Sequence, residues 1–335
     1  MTVASISIPD RMFAIRQKEA GGPLSYEEIE VPRPSKGEVL VKMDSAPINP
    51  SDLALIKGGY LERNYPFTPG LEGSGIVVMS GGGILAGMRK GSWVACSPKP
   101  GGDGTWAEFM LTSAMHTAPL PKGVSMEQGS MMLVNPMTTM AFVLMAKKEK
   151  HKALVNNAAA SSLGKMLIRM CQLQNIPLIN IVRRENQVEE LKKLGATYVL
   201  NSSKSSFESE LKELARQKSA TLFLDAISGR QTSLLLRTAP SGSKVVTYAR
   251  LSGEDIQADP TELINQGKKI EGFQLGSWLQ KQKLLFKLRF ISKVKRLLEK
   301  ELSSNIRRTH PMAEVDKALA EYQNNMSEGK ILLKA

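Results

Sequence analysis

At 335 residues, with 42% hydrophobic and 23% charged side chains, the chain is long enough for two domains with full cores and has the composition of a globular protein. No apolar run approaches the ~20 residues of a membrane helix, and MTVASISIPDR lacks a secretory layout. Cys96 and Cys171, far apart and both in apolar surroundings, suggest a reducing compartment without a disulfide framework, the cytoplasm or, if a presequence has been removed, the mitochondrial matrix. The formal charge of +13 is concentrated, with twelve Lys or Arg against three Glu from Lys268 to Arg308, hence +9. Such an excess suits phosphate-bearing ligands, acidic proteins, nucleic acid or anionic lipid, and equally a solvated lysine-rich face.

In chain order, Met12–Arg16, Leu24–Val31 and Glu38–Met43 read as strands, separated by Gly21-Gly22-Pro23 and by the breaker Pro32–Gly37. Pro50-Ser51-Asp52 opens a short helix that ends at Gly58-Gly59. Gly75–Met79, Trp93–Ala95 and Thr105–Leu111 continue as short glycine-punctuated strands, which together suggest a twisted, partly closed β domain. Beyond Pro121 the pattern changes. Met126–Ala146 is mostly helical with a break at Asn135-Pro136, and strands then alternate with helices as far as Lys244–Tyr248. That alternation predicts a doubly wound parallel sheet. Leu279–Leu302 reads as one long amphipathic helix, HPMAEVDKALAEYQ as another, and Lys330–Lys334 as a last strand that rejoins the β domain. The expected division is 1–125, 126–267 and 268–335.

Lys152–Arg184 holds the most informative local pattern. Ala153–Val155 suits a buried strand, Leu163–Leu173 has helical apolar spacing, and Leu178–Val182 is again a strand. This is a βαβ unit whose turn opens a helix, where free N–H groups and the dipole attract phosphate. The dinucleotide fingerprint G-x-G-x-x-G keeps only its last glycine, Gly164. Ala158, Ala159, Ala160, Ser161 and Ser162 precede it, leaving open both a phosphate cradle with two hydroxyl donors and an ordinary packing glycine. Arg183 and Arg184 follow the second strand nineteen and twenty residues after Gly164. At that distance an acidic residue would bind the ribose 2′-OH of NAD, whereas a guanidinium suits the 2′-phosphate of NADPH. If the turn binds a dinucleotide, NADPH is the expected one, with Glu185 as a competing charge.

Five segments in order, INPSDLALIKGGY with PFTPGLEGSGIVV, GTWAEFM, LVNPMTTMAFVLM, LGATYVLNSS and DAISG, make the chain resemble the medium-chain dehydrogenase/reductase superfamily. The matches span nearly the whole chain and are similar to its zinc-free branch of quinone oxidoreductases and enoyl thioester reductases. The resemblance implies an α/β protein: a GroES-like β-rich catalytic domain plus a Rossmann domain, assembled as a homodimer. It also implies a nucleotide set of Thr138, Ala159, Ala160, Ser161, Ser162, Leu163, Gly164, Arg183 and Arg184. Zinc-dependent members carry Cys near Ile48-Asn49-Pro50 and His at Leu71-Glu72; Asn49 and Leu71 are poor ligands, and no metal is expected.

Without zinc, reduction of a quinone or of the C=C of an α,β-unsaturated carbonyl is the expected chemistry, by hydride transfer to the electron-poor carbon with a donor for the enolate oxygen. Tyr60 stands where the thioester reductases use a tyrosine near the nicotinamide, although a packing tyrosine would read the same. Asn49 is the second catalytic candidate, or a cap of the Ser51 turn. A small molecule or an acyl thioester of CoA or an acidic carrier is the expected substrate, the basic helix suiting the latter. Those reductases often carry Trp after Gly-Phe, where this chain has Gln274 after Gly272-Phe273. A non-catalytic scaffold or RNA-binding role is the remaining alternative; with aromatics at 5%, no stacking platform is visible and nucleic acid is disfavoured as a partner.

Overall fold

The computed structural model describes residues 7–58 and 63–335. The chain divides into two compact units, Met1–Pro136 with Phe290–Ala335, and Met137–Arg289.

The first unit begins with the antiparallel pair β1 (Arg11–Gln17) and β2 (Leu24–Glu30). β3 (Glu38–Pro47) leads into α1 (Pro50–Lys57), which ends at Gly58 with φ 83°, a value open to glycine but strained for other residues. β4 (Gly73–Ser80), α2 (Ile84–Arg89), β5 (Trp93–Cys96), β6 (Phe109–Ser113) and β7 (Thr117–Pro119) follow. Both β4 and β6 pair antiparallel with β3, and β4 continues through β5 to β7. β3 alternates around a core of Val39, Val41, Met43, Val77, Val94 and Met110.

The expected break in the next helix lies earlier than the proline. α3 (Met126–Ser130) and α4 (Asn135–Lys148) are separated at residues 131–134. Pro136 sits in the first turn of α4, where its missing N–H is no loss.

The second unit is a six-stranded parallel sheet with helices between its strands. In order come β8 (Ala153–Asn156), α5 (Ser162–Leu173), β9 (Leu178–Val182), α6 (Glu185–Lys193), β10 (Tyr198–Asn201), α7 (Phe207–Lys218), β11 (Ala220–Asp225), α8 (Arg230–Thr238), β12 (Lys244–Thr247), α9 (Pro260–Ile264) and β13 (Lys269–Gly272). The spatial order β10-β9-β8-β11-β12-β13 reverses direction between β8 and β11. Open α/β sheets bind ligands beyond the carboxyl ends of their strands at such a reversal. One face packs Val155, Ile181, Phe223 and Val245 against Leu211 of α7 and Leu235 of α8.

The long basic helix is two helices, α10 (Leu275–Gln280) and α11 (Leu284–Leu297). Trp278 and Phe286 meet edge-on with ring centroids 5.9 Å apart. On one straight helix, eight residues would separate them by about 12 Å along the axis, so this packing requires the break. The return to the first unit is made by β14 (Ile306–Pro311), α12 (Val315–Asn324) and β15 (Lys330–Lys334). β15 pairs antiparallel with the end of β3, Leu332 opposite Pro47 and Lys334 opposite Ser45.

Candidate functional site

In the first unit, the chain leaves β3 and places Asn49 at the N-cap of α1. Asp52, three residues on, accepts the Asn49 N–H at 2.8 Å and the Leu71 N–H at 2.9 Å. The Asn49 side chain does not cap the helix. Its Nδ2 donates to Glu72 Oε1 at 3.0 Å, and its Oδ1 accepts from the Lys330 ammonium. Lys330 reaches the cluster from β15 and also lies 3.4 Å from the Ile48 carbonyl. The second oxygen of Glu72 accepts the backbone N–H groups of Leu133 and Val134, each at 2.9 Å. These are the residues between α3 and α4, so the break in the helix is where its backbone donors turn to a buried carboxylate. Thr105 Oγ1 donates to the Glu72 carbonyl at 2.8 Å.

Asn49, Asp52, Glu72, Thr105 and Lys330 are all buried. Burial pushes Glu72 upward and Lys330 downward from their usual values, each opposed by the other's charge. Three N–H donors converge on Glu72, so the carboxylate form satisfies every hydrogen bond it makes. Burial pushes Asp52 up to about 7, opposed by the two backbone N–H groups.

This donor set does not fit a zinc ion. Asn49 and Leu71 offer an amide and an alkyl group, Glu72 is engaged by three donors, and an ammonium already supplies the positive charge. Tyr60 lies outside the described residues.

The second unit supplies the turn between β8 and α5. Ala158 is held at φ 49°, a left-handed conformation usually left to glycine. The Ala159 N–H donates to the Ile181 carbonyl at 3.1 Å, and Ser161 Oγ caps the helix by accepting from Gly164 N at 3.1 Å. A Cβ at Gly164 would stand 2.3 Å from the Ala159 carbonyl oxygen. The glycine therefore lets the first turn of α5 press onto the loop, the task of the third glycine of a dinucleotide fingerprint. Ala159, Ala160 and Leu163 are buried, while Ser161 and Ser162 are partly exposed at the helix start. Ser161, Ser162 and the first-turn N–H groups form a small-residue cradle that fits a pyrophosphate.

Arg183 and Arg184 are exposed between β9 and α6. Glu185, the competing charge, is tied to Asn201 Nδ2 at 2.8 Å and to Lys204 at 3.6 Å. Thr138 is buried in the first turns of α4, as is Thr139 beside it.

Sequence reasoning missed the staple beside the turn. Asn157 Nδ2 donates to Asp225 Oδ1 at 2.6 Å, and its Oδ1 accepts the Ala226 N–H at 2.7 Å. Asp225 also accepts from the N–H groups of Ile227 and Ser228, at 2.9 Å each, and from Thr232 Oγ1 at 2.6 Å. The loops after β8 and β11 are thereby locked together at the sheet's reversal point. The aspartate ending an apolar strand in DAISG was the available signal. For Glu72 it was a carboxylate among glycines, and for Lys330 a lysine opening an apolar strand.

The profile for the alcohol dehydrogenase GroES-like domain matches residues 35–122, and that for zinc-binding dehydrogenase matches 162–289. The chain is 30% identical over 280 residues to the mitochondrial enoyl-[acyl-carrier-protein] reductase of Arabidopsis thaliana, covering 81% of this chain and 74% of that protein. The Xenopus tropicalis protein of the same name is 31% identical over 264 residues, with 76% and 74% covered. Among solved structures, a proposed NADPH:quinone reductase from Mesorhizobium loti superposes with a TM-score of 0.89 at 31% identity, over 98% of this chain and 100% of that one.

Proposed function

This chain belongs to the medium-chain dehydrogenase/reductase superfamily, in its zinc-free quinone oxidoreductase and enoyl thioester reductase branch, and from that premise we propose that it is an NADPH-dependent reductase of quinones or of the C=C of α,β-unsaturated carbonyl compounds. The observation that carries this reading is the packing of Gly164 on the Ala159 carbonyl at the reversal point of the parallel sheet. It builds a dinucleotide turn although two glycines of the fingerprint are gone. Ser161, Ser162 and the start of α5 hold the pyrophosphate, Thr138 belongs to the same nucleotide set, and Arg183 and Arg184 grip the 2′-phosphate, which selects NADPH. The engagement of Glu185 with Asn201 and Lys204 supports that preference, because it occupies the carboxylate that would otherwise serve a 2′-OH.

Bound NADPH supplies a hydride to the electron-poor carbon. Tyr60 is the donor that stabilises the developing enolate oxygen, and Asn49 acts from its buried cluster.

A second reading is supported by the relatives named enoyl-[acyl-carrier-protein] reductase, at 30% and 31% identity. In it the substrate is a trans-2-enoyl thioester, and the lysines and arginines of α11 attract its phosphates or an acidic carrier. The relatives' mitochondrial description makes the matrix the matching compartment, while the quinone reading suits the cytoplasm. A homodimer through the second unit is part of either reading. β13 is one of the two edge strands of its sheet, with Lys269 and Glu271 exposed, and sedimentation of the purified protein tests for the dimer.

NADPH oxidation followed across quinones, enals, enones and enoyl-CoAs decides between the two. Turnover of enones or quinones with little salt dependence is expected. Turnover of crotonyl-CoA alone, falling steeply with salt, would select the thioester reading. Tyr60→Phe should lower kcat by about 100-fold, and full turnover by that variant removes Tyr60 from the site.

A further inference from the structure

The function so far gives Lys330 no task, although it is one of the largest fully buried side chains. A buried ammonium carries a desolvation cost of several kcal/mol, and an apolar side chain of similar volume often serves stability as well or better. Lys330 therefore stands out as a charge kept for something other than filling space.

Its surroundings show what it does. The ammonium donates to Asn49 Oδ1 and thereby fixes which way that amide faces. With the acceptor turned to the cation, the Nδ2 donor is left to Glu72 Oε1, at 3.0 Å. The other Glu72 oxygen grips the N–H groups of Leu133 and Val134. Asp52 adds a second carboxylate that holds the backbone of Asn49 itself. A single relay of charge-assisted hydrogen bonds thus runs from the last strand to the two residues that precede α4. Such bonds are about twice as strong as neutral ones and have strict geometry.

We propose that Lys330 is a positioning residue of this site: the buried cation that, through Asn49 and Glu72, sets the backbone at Leu133–Val134 from which α4 starts. α4 carries Thr138, four residues beyond Val134, so the relay determines how one residue of the nucleotide set is presented. The kinetic consequence rests on the NADPH-reductase reading, whereas the structural consequence does not.

The test is a double-mutant cycle of Lys330→Met and Asn49→Leu, which cut the relay at successive links. Amide hydrogen exchange at Leu133 and Val134 is followed well below the melting transition, with the amides of β8 as reference. Each single variant should exchange at least tenfold faster at Leu133 and Val134 and unchanged in β8, and the double variant no faster than the singles. The KM for NADPH should rise at least fivefold in all three, with a smaller change in kcat. Should Lys330→Met not fold, Asn49→Leu alone gives the same exchange result. Unchanged protection at Leu133 and Val134 overturns the proposal, as does a double variant whose acceleration is the product of the two singles. Failure of the reductase reading is seen separately, as wild-type protein that neither binds nor oxidises NADPH, and the exchange measurement still decides the role of Lys330.

Discussion

The cluster around Glu72 and the turn between β8 and α5 hold polar groups in place by different means. In the first unit, a carboxylate, an amide and an ammonium from distant parts of the chain close on one another, and each depends on its neighbour's exact chemistry. In the second, backbone geometry does most of the holding: one left-handed alanine, one serine cap and one glycine without a side chain to obstruct it. The two places tolerate change differently for that reason. A turn made by the backbone survives replacement of two glycines by small residues, provided the remaining one sits at the contact that no Cβ can share. A charged cluster has no such slack, because removing one member leaves another buried and uncompensated.

The largest effect should come from Gly164→Ala. Its Cβ would meet backbone atoms of Ala159, not a side chain able to turn away, so the loop or α5 must shift. A loss of about 3 kcal/mol and undetectable NADPH binding are expected, read by urea unfolding and by quenching of tryptophan fluorescence. Next is the pair Arg183→Ala and Arg184→Ala. At about 1.5–3 kcal/mol for a hydrogen bond to a charged group, each single variant should raise the KM for NADPH roughly 10- to 100-fold, and the double variant more, while leaving that for NADH unchanged. Equal constants for both cofactors in the wild type would break the assignment.

Asp52→Asn reports on the charged cluster. The folded value of Asp52, about 7, lies above its unfolded value of ~3.9, so the folded state binds the proton more tightly. The stability this group contributes is complete at low pH and declines as pH rises from about 4 to about 7. Between pH 5 and pH 8 the melting temperature of the wild type should fall relative to that of Asp52→Asn, by ~2–4 °C for each kcal/mol. Parallel curves would mean that Asp52 stays ionised throughout. The smallest effect is a gain: Ala158→Gly relieves the left-handed backbone and should stabilise by about 1 kcal/mol, with NADPH affinity unchanged.

The alternation of apolar strands and helices after Ala153 made the second unit readable element by element as far as β12, because both periods reflect local burial, whereas α9 and the edge strand β13 were not anticipated. The return of Lys330–Lys334 to the β domain was readable too, and β15 pairs with β3. The break between α10 and α11 was hidden, since the apolar spacing of Leu284, Leu288 and Ile291 lies wholly within α11 and carries no signal of the discontinuity at residues 281–283. Residues 136–137 and 289–290, where the units divide, fall inside α4 and α11. At 289–290 the helical periodicity is uninterrupted and composition does not mark the junction, whereas the junction at 136–137 lies beside Asn135-Pro136, which reads as a break within a helix. Asn49 and Gly164 were visible as candidates from motif position alone. Lys330 and Asp225 were not, because a partner 281 or 68 residues away leaves no trace in local spacing.

The pairing of β15 with β3 has a consequence for how the protein is made. The second unit is a continuous stretch, so during synthesis it can close while the remainder is still being added. The first unit is different: its buried carboxylates at positions 52 and 72 emerge early and meet their cation only when residue 330 arrives. Until then they face water or a loosely formed core. Folding of the intervening unit gathers the stretch from Met137 to Arg289 into a compact body and so shortens the effective loop that β15 must close. Nascent chains stalled just before residue 330, with the second unit clear of the ribosome and Lys330 still absent, should therefore show a protease-resistant second unit beside an unprotected first one.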